Sequence, residues 1–571
     1  MGKRQKLWGM CLLFGMVMTI GGMGVRKQCK PYGDEEILFS LEKSFYSEDQ
    51  ELMLSTLLES EIYYTEDGSL PTREAKRYDG PIKLQAEEEP RAIPIRAVAY
   101  YGEGAASDIY TKTYFLGSGI HERFSTRIVS ITADPEVLYD YDRGILVAGR
   151  LRDDYAMANP GEDFTDRAPA NYNLRGRESE RPVHVEIYEP DGTRIVSQNM
   201  GLRVHGGASR GSDMKSLRLI ARKVYGKGHI SYELFSEEQS DYNGQGIGEY
   251  KELVLRNHGN DQEQAYLRNE LGQRLAKDAG FLDTQEFCCA SVWLNGEYYG
   301  FEWMEEAYDD DYFHAHYGTQ KQEGSWSVLS PHRGMIEADV EDEADRQAAV
   351  DLKRVYDYQF RDLTEDEVFS QLKQKLDVDN FLRYCAIEIY LSNPDWPDNN
   401  CKAYRWYSET ESSNPYNSYT DGRWRFLLYD LDMGMARTDS SMAGNPSLGE
   451  VLGEEESQWD RREYLLCALL QREDMRQRFT EMMEELMANA FSYTHVCEVI
   501  EEIQKEMESE LDFHMRRLAR EEAEDFSGEK EAYLYQKAVY GEEIEKIKEF
   551  FRLRPEVMRE ELKRISFPSP E

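Results

Sequence analysis

Cysteine is scarce in this chain, with eight in 571 residues, at positions 11, 29, 288, 289, 385, 401, 467 and 497. No C-x-x-C pair occurs, which argues against a structural zinc site, and the irregular spacing argues against a disulfide framework. Buried thiols are the expectation, with Cys288 and Cys289 facing opposite sides of a strand. Positive charge is also short. Lys and Arg total 68 against 109 Asp and Glu, a net charge of −41. That field repels phosphate backbones, so nucleic acid is not an expected partner. Any bound nucleotide needs a divalent cation to bridge it to acidic side chains. Internal repeats are absent, and no heptad persists over three repeats, which argues against a coiled coil.

What is present is a globular chain. Hydrophobic residues are 40% and charged residues 31%, too polar for a multi-span membrane protein, while 38 Tyr argue against disorder. The length suggests about two to four domains. The chain opens on the basic MGKRQK, continues without a charge through residues 7–25, and closes the run with Arg26 and Lys27. Residues 1–30 therefore read as a signal peptide or a membrane anchor. The expected location is extracellular or cell-surface, with membrane contact only through this segment.

Residues 34–118 read as a small all-β unit. EIYYT at 61–65 is a strand, Asp67-Gly68 is a turn pair, and 93–101 alternates as a second strand. The strings IYYTEDGSLPT, YDGPIKL and IRAVAYYGEGAASDIYTKTYF resemble the chitobiase/β-hexosaminidase C-terminal type module. That resemblance implies an immunoglobulin-like β-sandwich appended to a surface or carbohydrate-active protein. Two roles stay open: a spacer, or a glycan-binding unit using exposed tyrosines such as Tyr100 and Tyr101.

From residue 126 the pattern is strand and turn, with strands expected at 127–132 and 181–188 and a structureless loop over 150–180. GLRVHGGASR at 201–210 precedes KSLRLI at 215–220. A strand, a glycine turn and a strand carrying Lys215 suit a phosphate cradle, and they equally suit an ordinary hairpin. Residues 266–276 have apolar positions at 267, 271 and 275, a helical period with Glu270 beside the stripe. Asn295-Gly296 between 290–294 and 298–304 is a type I′ hairpin signal.

The most informative stretch is IEIYLSNPDWPDNN at 387–400, a helix end delivering Asp395, Asp398 and Asn400 to one loop. WRFLLYDLDMG at 424–434 then runs an apolar strand into Asp430 and Asp432, an arrangement that aims carboxylates at a cation. Asp395 and Asn400 are five apart, the spacing of the catalytic Asp and metal Asn in protein-kinase loops, and Asp430 takes the place of the kinase magnesium Asp. Turn capping by Asp and Asn is the competing explanation.

In order, SITADPEVLYDYDRGILVAG, VHVEIYEPDG, GLRVHGGASRGSDMKSLRLIARKVYG, LVLRNHGND, LNGEYYGFEWMEE, SNPDWPDNN and WRFLLYDLDMG resemble the CotH kinase family of atypical kinases, over about 300 residues. The resemblance implies a kinase-like domain that transfers the ATP γ-phosphoryl to Ser/Thr hydroxyls of surface or coat proteins, with Mg2+ or Mn2+. It implies Asp395 as base or orienting carboxylate, and Asn400 and Asp430 as metal ligands with Asp432 a further one. It also implies Lys215 on the ATP phosphates beneath Ser209 and Arg210, Glu305 lining the nucleotide pocket, and Glu270 paired with Lys215. The insert near 408–420 departs from the pattern.

Residues 335–380 and 458–565 read as amphipathic helix. The expected fold is α+β: a leader at 1–30, an Ig-like sandwich at 34–118, a two-lobed atypical kinase-like domain at 125–460, and a helical C-terminal lobe at 461–571. The alternative is a catalytically inactive surface protein binding glycans or coat partners through its sandwich. A glycoside hydrolase needs two carboxylates across a sugar groove, and no such pair stands out.

Overall fold

The structure, a computed structural model, describes residues 37–566 except 103, 163–164, 236–243, 333–334, 337–342, 409–416 and 456–460. The expected leader at 1–30 and most of the insert near 408–420 lie outside the described residues.

The N-terminal module is all-β, as its alternation predicts, and a sandwich, as its resemblance implies. Strands Glu61–Thr65, Arg91–Tyr101 and Tyr110–Leu116 pair antiparallel, and the ribbon of Gln50–Leu52 with Ile82–Leu84 contributes to the facing side. Between them Leu52, Leu84, Ile95, Ala97 and Ala99 are buried in one core. The module packs directly on the next domain. Phe115 packs edge-on against Tyr188 and Trp293 of the next domain, at ring distances of 5.6 Å. Thr113 donates its backbone N–H to the buried Glu186 carboxylate at 2.7 Å.

The two turn pairs legible in the sequence dock on each other. Gly68 has φ +84°, and a Cβ there would lie 2.3 Å from Asn295 Oδ1 and 2.5 Å from the Ala133 carbonyl. Gly68→Ala is therefore expected to cost about 1–3 kcal/mol. Gly80→Ala, whose Cβ meets nothing within 4 Å, is expected to leave the unfolding temperature unchanged. Thermal unfolding of the two variants side by side checks this.

The next domain begins with seven strands: β1 (Arg127–Thr132), β2 (Arg181–Tyr188), β3 (Arg194–Val204), β4 (Leu217–Ile220), β5 (Glu252–Arg256), β6 (Phe287–Leu294) and β7 (Glu297–Glu306). They close into a barrel in the order β1-β2-β3-β4-β5-β7-β6, with β6 returning parallel to β1. Asn295 and Gly296, at φ 53° and 88°, make the expected turn between β6 and β7. Leu217, Leu219, Leu253, Leu255, Val292 and Met304 fill the barrel. Strand alternation turns Arg218, Arg256 and Glu305 to its outer face. Cys288 and Cys289 do face opposite cores, and all described cysteines are free thiols. Residues 150–180 are not a plain loop: Gly149–Ala158 is helical, although none of its residues is buried, which is why no apolar period marks it.

Against the outer face packs helix α1 (Arg268–Asp278), with Leu267, Leu271 and Leu275 buried as their spacing predicts. The second lobe is built on α2 (Val378–Tyr390) and the sheet of Ser325–Leu329, Lys402–Tyr407 and Arg425–Leu427. The long helices α3 (Tyr493–Glu521) and α4 (Glu529–Ser566) pack on each other, and α3 also reaches α1, β6 and β7. Arg268, fully buried, pairs with Asp261 and, at 2.7 Å, with Glu543 of α4, tying the C-terminal helix to the barrel side. Among the described residues no helix is long and apolar enough to cross a membrane.

Candidate functional site

Helix α2 ends where the loop of interest begins, and its end is held by arginines from the C-terminal region. Arg554, fully buried on α4, donates to the carbonyls of Ile389 and Tyr390, both at 2.9 Å. These are among the carbonyls left unpaired at a helix C-terminus. Arg461 donates to the Asn393 carbonyl at 2.7 Å and pairs with Glu450 at 2.6 Å. Ser392 turns the chain in the left-handed region at φ 51°. The loop then presents Asp395, whose carboxylate accepts from Asn400 Nδ2 at 3.3 Å. Burial, and next the charge of Asp430, push the Asp395 carboxyl up from its ordinary value. Asp395, Asn400 and Asp430 thus lie close together.

Beneath the loop, Glu388 accepts from Asn393 Nδ2 at 3.0 Å, and burial pushes its carboxyl up to about 8. The folded protein retains this proton to higher pH than the unfolded chain does. Stability is therefore lost as pH rises from about 4.5 to about 8. Glu388→Gln removes that loss. Its unfolding temperature is expected to exceed the parent's by more at pH 8 than at pH 5.

A second cluster is assembled by the polar run after β5. Arg256, on the outer barrel face, donates to Asp430 Oδ1 at 2.6 Å and to Asp432 Oδ2 at 2.7 Å, with Glu305 at 3.9 Å. Asn257 is bonded to Ser216 and to the Met214 carbonyl, which fixes the run to the glycine-turn segment. Asn260 clasps Asp432 through its backbone N–H at 2.8 Å and its side-chain amide at 3.1 Å. Asp261 accepts from the backbone N–H groups of Leu267 and Arg268, capping α1. From α1, Asn269 donates to Glu305 at 3.1 Å and accepts from the Leu431 N–H at 3.2 Å. Glu270 sits beside Glu305, and burial followed by that neighbouring charge drives its carboxyl well up. Asp432, 1% exposed, is raised by burial and by Asp430. Asp430 itself is held at φ 60°.

Cations face these carboxylates. The His205 imidazole is held well below its usual value, first by burial and then by Arg218, Arg256, Arg210 and Lys402. Lys402 is pushed down to about 8 by burial and by Arg218, and its Nζ lies 4.4 Å from the Tyr429 ring centre. Arg218 pairs with Glu252 at 2.6 Å. Arg218 and Lys402 thus set positive charge beside the carboxylates, while the His205 imidazole stays neutral.

The structure brings Asp395, Asn400, Asp430, Asp432, Glu305 and Glu270 together. It does not bring Ser209, Arg210 or Lys215 to them. Lys215 Nζ donates to the Ser212 carbonyl at 2.6 Å and lies over the Tyr172 ring at 4.6 Å. The expected Glu270–Lys215 pair is not formed, and Arg256 is the cation next to Glu270. Arg210 holds the glycine turn closed, donating to the carbonyls of Gly206 at 2.7 Å, Tyr172 at 3.0 Å and Leu174 at 3.1 Å. Ser209 lies against Gly206, in the turn itself. Sequence reasoning missed Arg256, Asn260 and Asn269. The signal was the run RNHGND placed directly between an apolar strand and a helix.

Among the described residues no group of three or more His, Cys, Asp or Glu side chains is gathered as a metal site. The candidate ligands Asp395, Asn400 and Asp432 nonetheless offer oxygens, and the Asp395 carboxyl is raised by burial and then by the charge of Asp430, a repulsion that a cation relieves. One or two carboxylates completed by phosphate oxygens is the donor set that Mg2+ accepts, so the residues fit that ion. Two family models match the chain: one described as CotH kinase protein, over residues 202–558, and one described as Fn3 associated, over residues 52–114. No curated protein matches.

Proposed function

Because the chain belongs to the CotH kinase family, with an N-terminal β-sandwich before its kinase domain, we propose that it is an exported protein kinase transferring the γ-phosphoryl of ATP to Ser/Thr hydroxyls of surface or coat proteins. The observation that carries the reading is Asp395 hydrogen-bonded to Asn400, five residues on, and close to Asp430.

Asp395 orients the acceptor hydroxyl and takes its proton as the oxygen–phosphorus bond forms and the bond to ADP breaks. Asn400 and Asp430 would hold Mg2+ or Mn2+, and Asp432, itself fixed by Asn260 and Arg256, would be a further ligand. The bound ion neutralises charge on the transferring phosphoryl group. Arg218 and Lys402, the cations beside this cluster, would meet the ATP phosphates. Glu305, held by Asn269, would line the nucleotide pocket.

The test is transfer of label from γ-labelled ATP to a surface-protein extract in the presence of either metal. Incorporation at Ser or Thr is expected. No incorporation with either metal would contradict the proposal. A second reading, a kinase-shaped protein without transfer, draws on one observation: Arg256 already supplies positive charge to both Asp430 and Asp432.

A further inference from the structure

The strand that delivers Asp430, Arg425–Leu427, is the edge of its sheet, paired with Lys402–Tyr407 on one side. Its other side starts at the Leu376–Trp424 bridge, and among the described residues no strand continues from there. Phe426 and Leu428 are nonetheless fully buried, so their backbone groups need partners. Side chains and one carbonyl supply them. Asn380 of α2 takes the place of a strand, accepting from the Phe426 N–H at 2.7 Å and donating to the Phe426 carbonyl at 3.1 Å. The Leu428 N–H donates to the Asp283 carbonyl at 3.1 Å. The Leu428 carbonyl accepts from Gln273 of α1 at 3.3 Å and from Tyr308 at 2.9 Å. Asp430 follows two residues later.

These contacts converge on Asp283, a buried residue between α1 and β6, on the barrel side. Its Oδ2 accepts from the same Asn380 amide nitrogen at 2.7 Å. Its Oδ1 accepts from the hydroxyls of Tyr404 and Tyr317. Tyr404 belongs to Lys402–Tyr407, the strand that leaves Asn400. Tyr317 closes the helix Asp310–His316, which carries no residue of the site. Arg425, whose charge also acts on Asp283, makes its own hydrogen bonds to Asp421 and the Ser418 carbonyl. One buried acid thus ties the strand leaving Asn400 to the amide that holds the strand entering Asp430.

We propose that Asp283 is a positioning residue, setting Asn400 and Asp430 in register to share one metal ion. The inference rests on reading those two residues as metal ligands. Ligands on separate strands need such a tie, since a working site holds its groups to within about 0.5 Å. Partners behind the ligands are worth roughly ten- to a hundredfold in metal affinity.

Two variants of the full chain separate positioning from packing, because each deletes one hydroxyl from the same Asp283 oxygen. Tyr404→Phe frees the strand leaving Asn400, and Tyr317→Phe frees a helix outside the site. Calorimetric titration with Mn2+ and ATP is expected to give about tenfold weaker binding in Tyr404→Phe and the parent's affinity in Tyr317→Phe. Hydrogen exchange without nucleotide reads the same tie: amides of residues 402–407 and 428–432 are expected to exchange faster in Tyr404→Phe than in Tyr317→Phe. Equal binding losses in the two variants, parent affinity in Tyr404→Phe, or exchange there no faster than in Tyr317→Phe would overturn the role of Asp283. No binding by the parent would overturn the reading of the metal site itself, and this inference with it.

Discussion

Asp395→Asn is expected to lower phosphoryl transfer by roughly 10²–10⁴-fold while ATP binding and the unfolding temperature stay as in the parent. The expected split follows from what holds the loop. Its shape rests on Arg461 at the Asn393 carbonyl, on Arg554 at the end of α2, and on the Asn399 N–H at the Asp395 carbonyl at 2.7 Å. None of these uses the Asp395 carboxylate. That group's side-chain partners are Asn400 and Asn399, and an amide at 395 can keep accepting from them. What the amide cannot do is accept the acceptor's proton. Single-turnover transfer measured beside nucleotide affinity separates the two. Loss of both together would make Asp395 a structural residue.

Arg256→Met is expected to destabilise the folded protein by about 3–5 kcal/mol, the scale for removing one partner of a buried ionic cluster. The side chain is close in length, so the loss is mainly of charge. Arg256 is the one cation within ion-pair distance of Asp430, Asp432 and Glu305 among the described residues. Without it, the nearby carboxylates, Glu270 included, must share protons or repel. The folded-state proton affinity of Asp432, Glu305 and Glu270, already raised by burial, rises further above that of the unfolded chain. Stability should then fall as pH rises, and the variant's deficit should be larger at pH 8 than at pH 5. Added Mn2+ should raise the unfolding temperature of the variant more than that of the parent, since the ion binds only the folded cluster. Thermal unfolding at two pH values, with and without Mn2+, measures all of this. A deficit that ignores both pH and metal would mean that Arg256 acts through packing alone.

Much of this arrangement was legible because the decisive residues sit at element ends. Apolar 267, 271 and 275 announced α1, and the apolar run before Ser392 announced α2. The Asp395–Asn400 spacing and the doublet of Asp430 and Asp432 followed from turn and strand chemistry. The choice of Lys215 failed to reach the cluster for a physical reason: strand alternation. Leu217 and Leu219 fill the barrel, and Lys215 is in phase with them, so it lies with Tyr172 of that same core. Arg218 is out of phase and lies beside the cluster. Arg256 was harder to find, because an arginine ending an apolar strand looks like an ordinary solvated residue until the fold delivers Asp430 and Asp432 from about 175 residues away. The barrel's closure was hidden as well, since the parallel pairing of β1 with β6 joins residues 163 apart, such as Arg127 and Ala290, and leaves no local trace.

The central claim is a nucleotide site completed by a metal at Asp430. Titrating ATP into the parent protein and into Asp430→Ala, each with Mg2+, with Mn2+ and with neither, tests it most directly. Metal-dependent binding in the parent, lost in Asp430→Ala, is the result this account predicts. ATP binding that is indifferent to metal, or unchanged in Asp430→Ala, would contradict it.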